Sequence, residues 1–210
     1  FEPAAGRYVC DQCGLDGTLD VLYDLDEAKK NISRESLAAS RDLTLWRYRA
    51  ILPVEDEKHI PPLAVGWTPL YKSAKLAAEY GVKELLIKDD GRNPTASLKD
   101  RASAVGVAKA LDFDQKIVCC ASTGNAASSL AGFAAVTGLE SYIFVPEHAP
   151  AANVTQLLVY GAHVVLVQGD YEDDADTEAA DEGTFDYEEA YEETSDKETE
   201  DMLNEEDDQE

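Results

Sequence analysis

Lys116-Ile117-Val118-Cys119-Cys120-Ala121, followed by Ser122-Thr123-Gly124-Asn125 and then by the small-residue run 126–137, decides the fold. A short continuous apolar run closed by a polar, glycine-containing turn reads as a buried strand. The run 126–137, stopped by Gly138, reads as a helix. The alternation extends in both directions. Downstream, 142–145 reads as a strand, 151–160 as a helix ended by Gly161, and 163–167 as a strand. Upstream, 74–80 reads as a helix ended by Gly81, 84–88 as a strand and 98–111 as a helix. Short apolar runs that do not alternate with polar residues, separated by helices, predict an α/β fold. The expected core is a parallel sheet with flanking helices covering both faces.

The flanks differ in character. In 1–25, Tyr8-Val9-Cys10-Asp11-Gln12-Cys13-Gly14 is followed by Leu19-Asp20-Val21-Leu22-Tyr23-Asp24, whose alternation predicts a short strand and a ribbon-like N-terminal segment. Cys10 and Cys13 have zinc-knuckle spacing, but a tetrahedral site needs four ligands. No second such pair exists, and His59, His148 and His163 are far off in sequence, so the two cysteines are weak zinc candidates and no metal is expected. Residues 27–60 are mixed, with an apolar-aromatic patch at 43–48, and Gly66-Trp67-Thr68-Pro69-Leu70 reads as a turn.

Charge divides the chain more sharply. Of the formal net charge of −25, residues 170–210 carry −21 and residues 1–169 only −4. The expected organisation is an N-terminal segment (1–25), an α/β region (26–169) and an acidic low-complexity tail (170–210). The tail has too few apolar groups to offset chain entropy, so disorder is expected there. A net-acidic surface argues against nucleic acid as a partner. No apolar run approaches the roughly 20 residues that span a bilayer, and no signal peptide is visible. The absence of an initiator Met suggests a processed chain or a fragment. Four cysteines without a disulfide spacing predict a reduced, cytoplasmic protein.

Two segments could carry chemistry. In Arg92-Asn93-Pro94-Thr95-Ala96-Ser97-Leu98-Lys99-Asp100-Arg101, the Ser97/Asp100 spacing is a capping-box pattern. It starts the helix near Leu98 and puts Lys99 in the first turn. There the helix dipole and partial burial disfavour an ammonium, and a neutral amine could form a Schiff base or act as a base. A solvated helix lysine is the plainer alternative. Ser122-Thr123-Gly124-Asn125 follows a strand and opens a helix, where ligands bind in open α/β sheets, although an ordinary N-cap turn has the same composition. Cys119 and Cys120 are expected to pack in the sheet as small apolar side chains. For His148 and His163 the sequence by itself points to no catalytic role.

Taken in order, Gly66-Trp67-Thr68-Pro69-Leu70, Asn93-Pro94-Thr95-Ala96-Ser97-Leu98-Lys99-Asp100-Arg101 and Ser122-Thr123-Gly124-Asn125-Ala126-Ala127 resemble the threonine synthases. These belong to the fold-type-II, tryptophan-synthase β-like pyridoxal-phosphate enzymes. The Cys10–Cys13 ribbon and the segments Gln156-Leu157-Leu158-Val159-Tyr160-Gly161-Ala162 and Gln168-Gly169-Asp170-Tyr171 extend the likeness over about 7–171. The resemblance implies a pyridoxal 5′-phosphate cofactor held by Lys99 through a Schiff base, with Lys99 then shuttling protons. It implies that Asn125 bonds the cofactor's phenolic oxygen and that Ser122, Thr123 and Gly124 line a substrate-carboxylate cradle. Asp100 and Arg101 would fix the helix and its surroundings.

The implied reaction is that of a carbon–oxygen lyase in threonine biosynthesis. O-phospho-L-homoserine and water would give L-threonine and phosphate. The small-molecule amino-acid substrate is then the expected partner, and a homodimer stays open. Departures are Ala96 and Leu98, where Gly and Phe are commoner, and Asn153, where Lys is frequent. The family's downstream Gly-rich phosphate loop and its ring-nitrogen partner have no counterpart here, so the likeness covers the N-terminal half and the smaller lobe. The expectation is a truncated chain, inactive alone. The alternatives are a non-catalytic remnant of the family or another fold-type-II enzyme, such as a threonine dehydratase or cysteate synthase.

Overall fold

The computed structural model describes residues 1–168. The tail expected from residue 170 lies outside the described residues. The chain opens with an antiparallel hairpin of β1 (Val9–Cys10) and β2 (Gly14–Thr18). A Cβ built on Gly17 would lie 2.5 Å from the Cys13 Cβ and 3.0 Å from the Cys10 Cβ, so only glycine lets the turn fold back. The strand expected at 19–24 does not form. The pairing ends with the Leu19 N–H on the Tyr8 carbonyl, and among the described residues no strand pairs with Val21 and Leu22, which are exposed.

Helix α1 (Leu25–Asn31) starts where the Asp24 carboxylate accepts from the N–H groups of Asp26 and Glu27. Helix α2 (Arg34–Ala39) starts on a reciprocal Ser33–Ser36 capping box. The apolar-aromatic patch becomes a 3₁₀ helix, Leu45–Ile51, whose Leu45 and Trp46 enter a core shared with Val65, Val107 and Phe133. Strands β3 (Leu70–Lys72) and β4 (Leu86–Lys88) flank α3 (Ala74–Glu79) and pair antiparallel with each other. The strand expected at 84–88 therefore exists in part but lies in its own two-stranded sheet. It does not extend the parallel one.

The region decided by the opening stretch folds as α4 (Asp100–Asp112), β5 (Ile117–Ala121), α5 (Asn125–Thr137), β6 (Glu140–Pro146), α6 (Ala151–Val159) and β7 (His163–Val167). The strands lie in the order β5-β6-β7, all parallel, so this is the expected α/β sheet. Gly138 and Gly161 stop their helices with φ of 75° and 80°, a region costly for any residue with a Cβ. The central strand β6 is buried, with Ile143 and Val145 fully so. The edges are less covered than expected. Cys120 packs towards α5 and α6, whereas Cys119, one residue earlier and so on the other face, is exposed.

Helix α5 lies between α4 and α6. Phe133 on α5 is fully buried among Ala104, Val107 and Ala108 of α4, and the Ser128 hydroxyl donates to Gln156 of α6 at 3.1 Å. Burying a phenylalanine contributes about 2–3 kcal/mol, which makes the α4–α5 contact a firm platform. The far end of α4 is tied by Asp112, which accepts from the Glu55 N–H at 2.8 Å and meets His59 Nδ1 at 2.7 Å. Among the described residues no helix is long and apolar enough to cross a membrane.

Candidate functional site

The loop before α4 is held by side chains that the backbone cannot replace. Asn93 is buried. Its carbonyl oxygen accepts from the Gly66 N–H at 3.0 Å, and its amide donates to the carbonyls of Asp90 at 3.0 Å and Ser97 at 3.1 Å. One amide thus clamps three segments. Ala96 sits at φ 62°, in the left-handed region, where an alanine costs about 1 kcal/mol relative to glycine. That conformation explains why glycine suits this position better than the alanine found here.

The helix begins at Asp100, two residues later than the capping pattern predicted. Ser97 Oγ accepts from the Lys99 N–H at 3.0 Å. Asp100 does not reach back to Ser97. Its carboxylate, fully buried, accepts from the Thr95 N–H at 2.7 Å, from the Thr95 hydroxyl, and from the Ser129 hydroxyl of α5 at 2.8 Å. A long-range acceptor role has displaced the local cap. Lys99 itself has helical dihedrals (φ −63°, ψ −24°) just ahead of α4 and is exposed. Partial burial, expected from the sequence, is not found among the described residues.

On the other side of the platform, the loop after β5 holds Ser122 buried, Thr123 half-buried and Gly124 exposed, with Asn125 exposed as the first residue of α5. The Ser122 N–H continues the sheet to the Phe144 carbonyl at 3.1 Å, and Ser122 Oγ accepts from the Gly124 N–H at 3.2 Å. The Thr123 carbonyl accepts from the Asn153 amide at 2.7 Å, which anchors the loop to α6. No side chain caps α5, so its first N–H groups are available to a ligand. A Cβ on Gly124 would meet nothing within 4 Å, so the space beside it is open.

These two loops are linked. Lys99 precedes Asp100, Asp100 is one hydrogen bond from Ser129, and Ser129 is one helical turn along α5 from Asn125, about 6 Å. The Thr95 methyl also packs on Gly132, where a Cβ would lie 2.9 Å away. The amine of Lys99, the amide of Asn125, the Ser122 hydroxyl and the uncapped N–H groups therefore belong to neighbouring helix starts. An amine for an aldehyde, an amide for a phenolic oxygen and amide donors for an anion fit the chemistry of pyridoxal phosphate.

Behind this lies a network that sequence reading did not anticipate. Asp90 accepts from the Thr68 hydroxyl at 2.6 Å and from Arg101 at 2.8 and 3.3 Å. The Arg101 guanidinium, then the Thr68 hydroxyl, hold the Asp90 carboxyl down at about 2. Thr68 and Arg101 lie in two of the motifs read from the sequence, but Asp90 lies in neither and carried no signal of its own. Cys10 is half-buried and Cys13 exposed in the hairpin; hydrogen bonds from the N–H groups of Gln12 and Cys13 lower the Cys10 thiol. Among the described residues no group of three or more metal-ligating side chains gathers.

Comparison with known proteins gives the family. A family model described as pyridoxal-phosphate dependent enzyme matches residues 62–195. The threonine synthase of Methanocaldococcus jannaschii is 42% identical over 170 residues, 80% of this chain and 41% of that protein. The threonine synthase of Methanosarcina acetivorans is 41% identical over 169 residues, 79% of this chain and 40% of that protein. The chain thus spans about two fifths of the length of these curated relatives. Among solved structures, holo diaminopropionate ammonia lyase from Escherichia coli superposes with a TM-score of 0.51 at 20% identity, over 59% of this chain and 37% of that one. That likeness concerns the fold.

Proposed function

This chain belongs to the pyridoxal-phosphate dependent enzymes, and from that premise we propose that its Lys99 serves threonine synthase chemistry, in which O-phospho-L-homoserine and water give L-threonine and phosphate. The observation that carries the proposal is the tie between Asp100 and Ser129, which sets the Lys99 loop beside the uncapped start of α5. The substrate is supported by the relatives of 42% and 41% identity, both threonine synthases.

When bound, pyridoxal phosphate supplies an electron sink that makes the C–H bonds of an attached amino acid acidic. Lys99 would hold the cofactor by its amine and, once released, move protons at the substrate's Cα and Cβ. Its exposed, helix-anchored stem gives the amine a fixed origin and a mobile tip. Asn125 would donate its amide to the phenolic oxygen. The N–H groups at Thr123 and Asn125, with the Ser122 hydroxyl and the open space at Gly124, would orient the substrate carboxylate, so that the bond to be broken faces Lys99. Since Lys99 and Asn125 are exposed, these residues form one wall and do not exclude water unaided, so the 210-residue chain alone is expected to release little phosphate from the substrate.

The test is borohydride reduction of the protein with pyridoxal phosphate, followed by peptide mapping. The label is expected on Lys99 and absent in Lys99→Ala. A label on Lys88 or Lys109 in its place would overturn the assignment. Phosphate release from O-phosphohomoserine, compared with turnover of threonine and phosphoserine, tests the substrate separately.

A further inference from the structure

A cleft of about 450 Å³ opens on the N-terminal side of the platform, within the size range of small-molecule sites. Its walls include Arg47, Tyr48, Trp67, Lys88, Asp90 and Arg101. None of the residues assigned above to the cofactor or substrate lines it. Lys99 and Arg101 lie two positions apart at a helical start, so their side chains leave in nearly opposite directions.

The cleft's charge is unbalanced. Its single carboxylate, Asp90, is already bonded to Thr68 and Arg101. Lys88 gives one of its three N–H donors to the Thr68 carbonyl at 2.6 Å. Arg47 donates to the Leu37 carbonyl, and its Nε is buried with no hydrogen-bond partner among the described residues. Among the described residues neither Lys88 nor Arg47 pairs with a carboxylate. Among the described residues three cations of the lining, Arg47, Lys88 and Arg101, face one carboxylate, Asp90, whose charge is felt by Lys88 as well as Arg101, so the wall keeps an excess of positive charge.

The aromatic wall is built at a conformational cost. Gly66 and Trp67 are both in the left-handed region, with φ of 92° and 50°. For a residue as bulky as tryptophan this is a strained position, and such positions gather at ligand sites. A Cβ on Gly66 would lie 3.1 Å from both the Arg101 Nη1 and the Leu45 nitrogen, so the turn is threaded tightly between them. The result is that Thr68 points inward to Asp90 while the Trp67 indole is 61% exposed. The Arg47 guanidinium lies 5.0 Å from the Trp67 ring centroid and 5.7 Å from that of Tyr48. Stacking holds that cation at the cleft without neutralising it.

We propose that this cleft is a second ligand site, separate from Lys99, for a small organic anion carrying a flat ring. The ring lies against Trp67 and Tyr48, and the phosphate or carboxylate meets Arg47 and Lys88. The proposal does not rest on the identity of the reaction at Lys99.

Isothermal titration of the 210-residue chain with phenyl phosphate, benzoate, inorganic phosphate and phenol tests it. Phenyl phosphate, benzoate or both are expected to saturate one site, and phosphate and phenol to bind at least about tenfold more weakly. Lys88→Gln, at an exposed position that leaves the core untouched, and Arg47→Gln are each expected to weaken the ring-bearing anions about tenfold or more. Trp67→Ala should weaken them while leaving inorganic phosphate unchanged. Lys99→Ala should leave phenyl phosphate binding unchanged. No saturable binding of either ring-bearing anion, equal affinity for inorganic phosphate, indifference to Lys88→Gln, or loss of binding in Lys99→Ala would each overturn the proposal.

Discussion

Asp100→Ala removes the acceptor that joins the lysine loop to α5. In the native protein the Thr95 N–H, at 2.7 Å, the Thr95 hydroxyl and the Ser129 hydroxyl, at 2.8 Å, all converge on this fully buried carboxylate. A buried N–H left without an acceptor costs about 1–3 kcal/mol. The two hydroxyls can rotate, but Ser129 is fully buried, and its bond to the carboxylate is charge-assisted. The anion also faces the positive end of α4, worth about 0.3–1 kcal/mol. Removing a buried charge returns part of its desolvation cost, so the net expectation is a loss of about 2–4 kcal/mol. With a urea slope of about 2 kcal/mol/M, the unfolding midpoint falls by about 1–2 M.

Asp100→Asn behaves differently. Its carbonyl oxygen can keep the Thr95 N–H, and its amide can donate to the two hydroxyl oxygens, so the loss is held to about 1 kcal/mol. Urea unfolding followed by circular dichroism reads both variants, and borohydride labelling of Lys99 should fall further in the alanine variant than in the asparagine one. An alanine variant within about 0.5 kcal/mol of the native protein would refute the reasoning. So would an asparagine variant as damaged as the alanine one, because charge would then matter and not the count of acceptors.

Gly132→Ala sets helix propensity against packing. The gain of about 1 kcal/mol from replacing a helical glycine is outweighed by a Cβ 2.9 Å from the Thr95 methyl, so a net loss of about 1–2 kcal/mol is expected in thermal or urea unfolding. Acid sensitivity should report on Asp90. A carboxyl lowered from 3.8 to about 2 contributes stability that is fully present above the ordinary value and is lost as pH falls from about 4 to about 2. Asp90→Asn should therefore show a shallower loss of stability than the native protein over that window, by about 1–2 kcal/mol after allowance for solvent screening. Parallel acid-unfolding curves for the two proteins would contradict this.

The parts of the fold that were legible are those in which burial writes itself into the local sequence. Strands β5 to β7 are short apolar runs, and Gly138 and Gly161 mark the ends of the intervening helices by conformations that other residues resist. Strand β4 was legible within 84–88, but β3 and its antiparallel pairing with β4 left no such trace, because the six residues are exposed and carry no burial pattern to read. The strand expected at 19–24 had the right alternation and, among the described residues, no partner, since pairing is not a local property. The start of α4 was misplaced for a related reason: Ser97 and Asp100 have the spacing of a capping box, but a serine 29 residues further on, Ser129, competes for the same carboxylate.

By itself the sequence determined the order of the elements from α4 to β7 and the parallel type of their sheet. Each of these follows from periodicity and glycine stops within a dozen or so residues. Only the tertiary structure decided which of several equivalent acceptors Asp100 and Asn93 would serve, and so where the lysine loop stands relative to α5. It alone assembled Arg47, Trp67 and Lys88, from three separate segments, into one cleft. The physical reason is that a burial preference belongs to a residue and its near neighbours. A hydrogen bond between distant groups is chosen from many candidates of similar strength, and the packing of α4 on α5 makes that choice.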